Sequence, residues 1–142
     1  MKKKSKPTTG PKRPAYTHHQ YIPLEDGIKA ILDSMDEREK QFRHRVGDYE
    51  VHTTSLRLRV FATKGTTCYI CGNKATQFSI DACQGTTAPH MNLWGTKDGK
   101  PMLFTHDHIV DRAKGGADQM HNAEPCCTSC NWEKNVRENF SV

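Results

Sequence analysis

The chain has 142 residues, 35% hydrophobic and 26% charged, with a formal net charge of +5. That length suits one domain, or one small domain with an arm, and the apolar share is lean for its core, a shortage that a structural metal would relieve. No apolar run approaches the roughly 20 residues that span a bilayer, and the basic start lacks the apolar stretch of a secretory signal, so no membrane contact and a reducing, cytoplasmic compartment are expected.

The positive charge sits at the start. Residues 1–14 carry Lys2, Lys3, Lys4, Lys6, Lys12 and Arg13 and no acid, for +6, which leaves −1 on the other 128 residues. With Pro7, Gly10, Pro11 and Pro14 this arm reads as disordered. It is either a solubilising tail or a strap that gains affinity for a polyanion by counterion release. Residues 15–23, bounded by Pro14 and Pro23, read as irregular. The spacing of Ile28, Ile31, Leu32, Met35, Phe42 and Val46 predicts a helix over 25–45, stopped at Gly47. Its outer face pairs Asp36 with Lys40 and Glu39 with Arg43 one turn apart. The arginines Arg38, Arg43 and Arg45 read as a solvated face in preference to DNA contacts. Ser55 to Lys64 fits a strand by alternation, or a helix capped by Ser55 and stopped at Gly65; the helix is favoured because it would end just before Cys68.

Residues 73–101 read as a long connection rich in Gly, Thr and Asn, with a hairpin signal at Asp98-Gly99. Met102 to Val110 reads as a strand, 114–118 as a flexible loop, and 131–139 as a short helix. Neither an internal repeat nor a heptad seam is present, so the sequence does not specify an oligomeric state.

Six cysteines in a reducing compartment point to metal before disulfides. Cys68-x-x-Cys71 and Cys127-x-x-Cys130 supply four thiolates, a closed tetrahedral set for Zn²⁺. Cys126 lacks the two-residue spacer, and Cys83 and Cys126 read as buried or free thiols. Between the two pairs lies Thr105-His106-Asp107-His108, with Asn122 and Asn131 further on. A histidine suits general-base work near neutral pH. A carboxylate and an amide carbonyl suit a hard divalent cation better than thiolates do. Hydrolysis of a phosphodiester needs these parts: an activated water and a Lewis acid on the phosphoryl oxygens. In a regular strand Asp107 and His108 point to opposite faces, so a bulge or the strand end must bring them to one site. His106 shares a face with His108 and reads as structural more readily than as a second ligand.

The order Lys64-Gly65-Thr66-Thr67-Cys68-Tyr69-Ile70-Cys71-Gly72, His90-Met91-Asn92-Leu93-Trp94, Asp98-Gly99-Lys100, Thr105-His106-Asp107-His108-Ile109-Val110, Gly115-Gly116-Ala117-Asp118, Asn122 and Cys127-Thr128-Ser129-Cys130-Asn131-Trp132-Glu133-Lys134 resembles the HNH endonucleases. The likeness is to the small phage-encoded type and extends from about Ser55 to Asn135. It implies an α+β fold: a ββα-metal core with a four-cysteine zinc site, preceded by an N-terminal helix and the basic arm. The implied division is an arm at 1–14, a helical segment at 15–52 and the HNH nuclease domain at 53–142.

The resemblance also implies roles. Cys68, Cys71, Cys127 and Cys130 would hold structural zinc. Asp107 and Asn131 would hold the catalytic ion, Mg²⁺ or another divalent cation, with Asn135 as the rival ligand on the same helix face. His108 would activate water, Asn122 would position the loop and the imidazole, and Lys134 would neutralise phosphate charge. The partner would be DNA. His90 and Trp94 would pack near the zinc module, His121 would be a loop residue, and Arg112 and Lys114 would be phosphate contacts or solvated loop charges. The implied reaction is hydrolysis of DNA phosphodiester bonds; the alternative is a zinc-stabilised nucleic-acid-binding protein without catalysis.

Overall fold

Asp98 and Gly99 both have positive φ, 55° and 75°, and close a two-residue hairpin in which Lys97 faces Lys100. This is the conformation that a tight hairpin turn demands. The two strands it joins, and those around them, come from a computed structural model that describes residues 16–36, 43–83, 88–110 and 114–140. The basic arm at 1–14 lies outside these residues, as do Arg38, Glu39, Lys40, Phe42 and Arg112, and the side chain of Cys83 likewise falls outside the description.

The hairpin strands are β5 (His90–Lys97) and β6 (Lys100–His108), the middle of an antiparallel five-stranded sheet. Chain order gives β1 (Tyr16–Pro23), α1 (Leu24–Asp36), β2 (Arg43–Val46), β3 (Tyr49–His52), α2 (Leu56–Lys64), β4 (Gln77–Cys83), then β5 and β6. A 3-10 turn at Met120–Asn122, β7 (Ala123–Cys127) and α3 (Thr128–Phe140) complete the described elements. The sheet order is β1-β4-β5-β6-β7, and β2 and β3 form a separate hairpin. Ile22, Ile31, Val51, Leu58, Phe61, Phe78, Ile80, Leu93 and Phe104 meet in one buried core. The molecule is thus a mixed α/β fold on an antiparallel sheet.

The helix expected from Ser55 forms. The Ser55 side chain accepts the Leu58 backbone N–H, and the Gly65 N–H donates to the Phe61 carbonyl at the other end. The helix expected over 25–45 does not run that far. Residues 43–46 are strand, and Gly47 (φ 59°) is the first residue of a turn between β2 and β3, where Val46 faces Tyr49. Arg43-His44-Arg45-Val46 and Tyr49-Glu50-Val51-His52 flank Gly47-Asp48 as a hairpin would. Positive φ serves a hairpin turn as well as a helix stop, so the glycine alone did not discriminate.

Two other expectations are corrected. Residues 16–23 are not irregular: they pair with β4, with a register shift between His18 and Gln20. The long connection at 73–101 contains β4 and β5, joined through Phe78 opposite Leu93 and Ile80 opposite Met91. The expected strand at 102–110 begins earlier and ends at His108, and the expected helix at 131–139 begins at Thr128.

Candidate metal centre and active site

The four sulfur atoms of Cys68, Cys71, Cys127 and Cys130 lie within 4.8 Å of one another. Zinc–sulfur bonds of about 2.3 Å at tetrahedral angles put neighbouring sulfurs about 3.8 Å apart, and Cys71 Sγ lies 3.9 Å from Cys127 Sγ. The cluster therefore fits zinc. Cys68 and Cys71 flank a turn in which the Gly72 N–H donates to the Cys68 carbonyl, while Cys127 ends β7 and Cys130 lies in the first turn of α3.

Burial opposes the Cys68 thiolate, yet backbone hydrogen bonds from Cys71, Cys127 and Ile70 outweigh it and lower the thiol to about 6. Burial raises Cys127 and Cys130, as expected for thiols crowded together. Lys97 Nζ lies 3.9 Å from Cys130 Sγ. Burial disfavours its ammonium, but the negative charge of Cys127, Cys130 and Cys71 prevails and raises it. Cys126 stands outside the cluster, fully buried, its thiol pushed up by burial and donating to the Cys127 carbonyl.

The second constellation adjoins this cluster, since Asn131 follows Cys130 and Tyr69 follows Cys68 directly. Asp107 is buried on β6, and its Oδ2 accepts from Lys134 Nζ of α3 at 2.8 Å and from the Tyr69 hydroxyl. Tyr69 lies between the two cysteines of the first pair, so the zinc loop reaches the carboxylate directly. Burial and then Asp107 raise the phenol, which stays protonated as the donor. Lys134 Nζ also donates to the His108 carbonyl at 2.9 Å. Asn131 stands one turn before Lys134, and its Oδ1 lies 3.5 Å from Asn135 Nδ2.

His106 and His108 meet a different carboxylate, that of Asp118. β6 pairs with β7 without a shift from Phe104–Cys127 to His108–Ala123, so the alternation of a regular strand holds. His108 Nε2 is 2.7 Å from Asp118 Oδ1, and His106 Nε2 is 4.0 Å from the same oxygen. Burial, then the neighbouring His108, lowers the His106 imidazole and keeps it neutral. The bulge that would turn Asp107 and His108 to one face is absent from this pairing; His108 is the last residue of β6.

Asn122 closes the loop between β6 and β7. It is buried, its Oδ1 accepts the Val110 N–H at 2.8 Å, and its Nδ2 donates to the carbonyls of Val110 (2.9 Å) and Ala117 (2.8 Å). Its own carbonyl accepts the Ile109 N–H. Lys64 fastens the same region from α2, reaching the carbonyls of Met120 and Ala123 and the Glu124 carboxylate.

The remaining expected residues are scattered. Trp94 packs against Tyr16 and His18, and its indole donates to the fully buried Asp81 carboxylate at 2.9 Å. His90 is exposed at the start of β5, and His121 and Lys114 are exposed in the loop. Three participants had no role from sequence: Tyr69, Asp118 and Lys64. Their partners lie 38, 10 and up to 60 residues away, beyond the reach of local spacing. The position of Asp118 after Gly115-Gly116 was the one available signal.

Fold and site together define a small α/β domain in which a four-cysteine centre adjoins a cluster of His, Asp, Asn and Lys. Residues 95–137 match the family model described as HNH endonuclease, so the chain carries an HNH domain over that stretch. The match contains Asp107, His108, Asn122, Cys127, Cys130, Asn131 and Lys134; Cys68 and Cys71 precede it. No curated protein and no solved structure matches the chain. An HNH domain points to nuclease activity with divalent metal and to a nucleic-acid substrate. No helix among the described residues is long and apolar enough to cross a membrane.

Proposed function

We propose that the protein is a metal-dependent endonuclease that hydrolyses DNA phosphodiester bonds, built on a ββα-metal core made of β6, β7 and α3. The observation that carries this reading is the reach of Lys134, whose Nζ bonds both the Asp107 carboxylate and the His108 carbonyl. It ties the helix that bears Asn131 to the strand end that bears the carboxylate and the imidazole.

Asp107 and Asn131 are the residues to hold the catalytic divalent ion, because together they offer oxygen donors suited to Mg²⁺. When bound, such an ion supplies Lewis-acid stabilisation of charge on the phosphate. His108 is the general base. Asp118 can only accept while ionised, so the pair assigns the ring proton to Nε2 and leaves the Nδ1 lone pair to take a proton from water. Asn122 positions the imidazole by fixing Ile109 and Val110, the two residues that follow it. Lys134 balances Asp107 and stands ready to balance a phosphate. Residues 53–142 form the nuclease domain in this reading, the segment 15–52 lends β1 to its sheet, and the arm at 1–14 adds contacts to DNA phosphates.

The test is cleavage of supercoiled plasmid by the full chain in Mg²⁺, beside His108→Ala. The expected loss is on the order of 100-fold or more, the range for removing a general base. Equal cleavage by both proteins, or none by the native chain in Mg²⁺, Mn²⁺ or Ni²⁺, would refute the proposal. Binding to DNA without cleavage would favour the non-catalytic zinc-stabilised binding protein.

A further inference from the structure

We propose that His106, His108 and Asp118 form a second metal site, which takes a borderline transition cation such as Zn²⁺ and thereby silences the base at His108. One ring nitrogen of each histidine and one carboxylate oxygen lie within 4.8 Å of one another. The separations to Asp118 Oδ1 are 2.7 Å from His108 Nε2 and 4.0 Å from His106 Nε2. Around a tetrahedral ion with bonds of about 2.1 Å, neighbouring donors stand about 3.4 Å apart. The two distances straddle that value and no two donors are more than 4.8 Å apart, so side-chain shifts of up to about 1.5 Å bring the three donors to one centre.

The donors are also held. Both histidines come from one regular strand, and Asp118 follows Ala117, whose carbonyl is bonded to the buried Asn122 amide at 2.8 Å. Two imidazoles and a carboxylate suit Zn²⁺, Co²⁺, Ni²⁺ or Cu²⁺, whereas Mg²⁺ prefers an all-oxygen shell. The trio shares no donor with the oxygen set of the proposed catalytic ion, Asp107 and Asn131, or with the four cysteines.

The consequence rests on the role proposed for His108. A neutral imidazole has one free lone pair. A metal at Nε2 claims that pair, the ring proton moves to Nδ1, and no base remains to accept a proton from water. The hydrogen bond to Asp118 and the metal bond to His108 thus exclude one another at the same nitrogen, the first compatible with catalysis and the second not.

Zinc content and calorimetry decide the site independently of activity. The full chain, its cysteine centre loaded, is titrated with Zn²⁺ beside His106→Gln and Asp118→Asn, with circular dichroism checking the fold of each. The native chain should hold about two Zn²⁺ and each folded variant about one. A native chain that stops at one, or variants that keep the second, overturns the site. In Mg²⁺-supported cleavage, filling the second site should cut the native rate about tenfold or more, and His106→Gln should need about tenfold more Zn²⁺ for the same loss. Undiminished cleavage with the second site filled overturns the silencing. A native chain that never cleaves defeats the nuclease reading, and the zinc count then decides the site alone.

Discussion

Asn122 uses its whole amide on loop backbone, one acceptor bond to Val110 and donor bonds to Val110 and Ala117. Truncation to alanine strands those three backbone groups beside a buried position. Each buried group left unpaired costs about 1–3 kcal/mol unless the loop opens to water. Either response moves Ile109 and Val110, and with them His108. We expect Asn122→Ala to lower plasmid cleavage about 10- to 100-fold, the usual effect of losing an orienting partner, with zinc content unchanged. Asn122→Asp should do no better, because it keeps the acceptor but sets carboxylate oxygen against two carbonyls. Native-rate cleavage by the alanine variant would show that the loop does not position the base. The four cysteines were legible in the sequence as two short-spaced pairs, and the place of Asn122 in this loop was legible from motif order. Asp118 and Tyr69 were not, since what they do depends on which strand lies opposite.

Elements were legible where one side faces water. α2 announced itself through Ser55 and Gly65, and β6 through its apolar run. β5 stayed hidden because Met91 to Gly95 are all buried, so no polar face marks its period. β4 lay within the expected long connection although Phe78 and Ile80 alternate with Ser79 and Asp81, and Ser79 and Asp81 are fully buried. Asp81 is satisfied there by His18, Ser79, Asn92 and Trp94, and Asn92 in turn accepts from Arg57 of α2 at 3.0 Å. The seating of α1 on β4 supplies a test at this scale. Gly27 is buried, and a Cβ there would stand 2.2 Å from Cδ2 of the Phe78 ring, itself fully buried. Gly→Ala within a helix ordinarily gains about 1 kcal/mol, whereas overpacking a core costs about 1–3 kcal/mol. Because the obstructing atoms belong to an enclosed ring, packing should dominate. Gly27→Ala is expected to lower the urea midpoint at unchanged slope, and a raised midpoint would show that α1 can shift away from the sheet.

At the scale of the molecule, the cysteine centre joins parts the sheet leaves apart. The knuckle at Cys68 and Cys71 follows α2, whereas Cys127 and Cys130 straddle the junction of β7, one of the sheet's two outer strands, with α3. Tyr69 extends the knuckle to Asp107, so a metal at the cysteines would brace both the fold and the carboxylate proposed for catalysis. Structural zinc contributes an apparent 10–16 kcal/mol in small domains at pH 7, against a total stability of about 5–15 kcal/mol. Loss of the ion should therefore unfold the core. Cys68→Ala is expected to purify without the structural zinc and to show no cooperative melt, and a strong chelator should do the same to the native chain. Cys126→Ala is the matched control. Its thiol is as buried as those of Cys68, Cys127 and Cys130 but lies outside the cluster, so its loss leaves only a small cavity, costing about 1 kcal/mol, with zinc retained. Zinc analysis and thermal melts on the three proteins separate the cases: a Cys68→Ala melt that overlays the native one would mean that packing, not metal, holds α3 to the sheet.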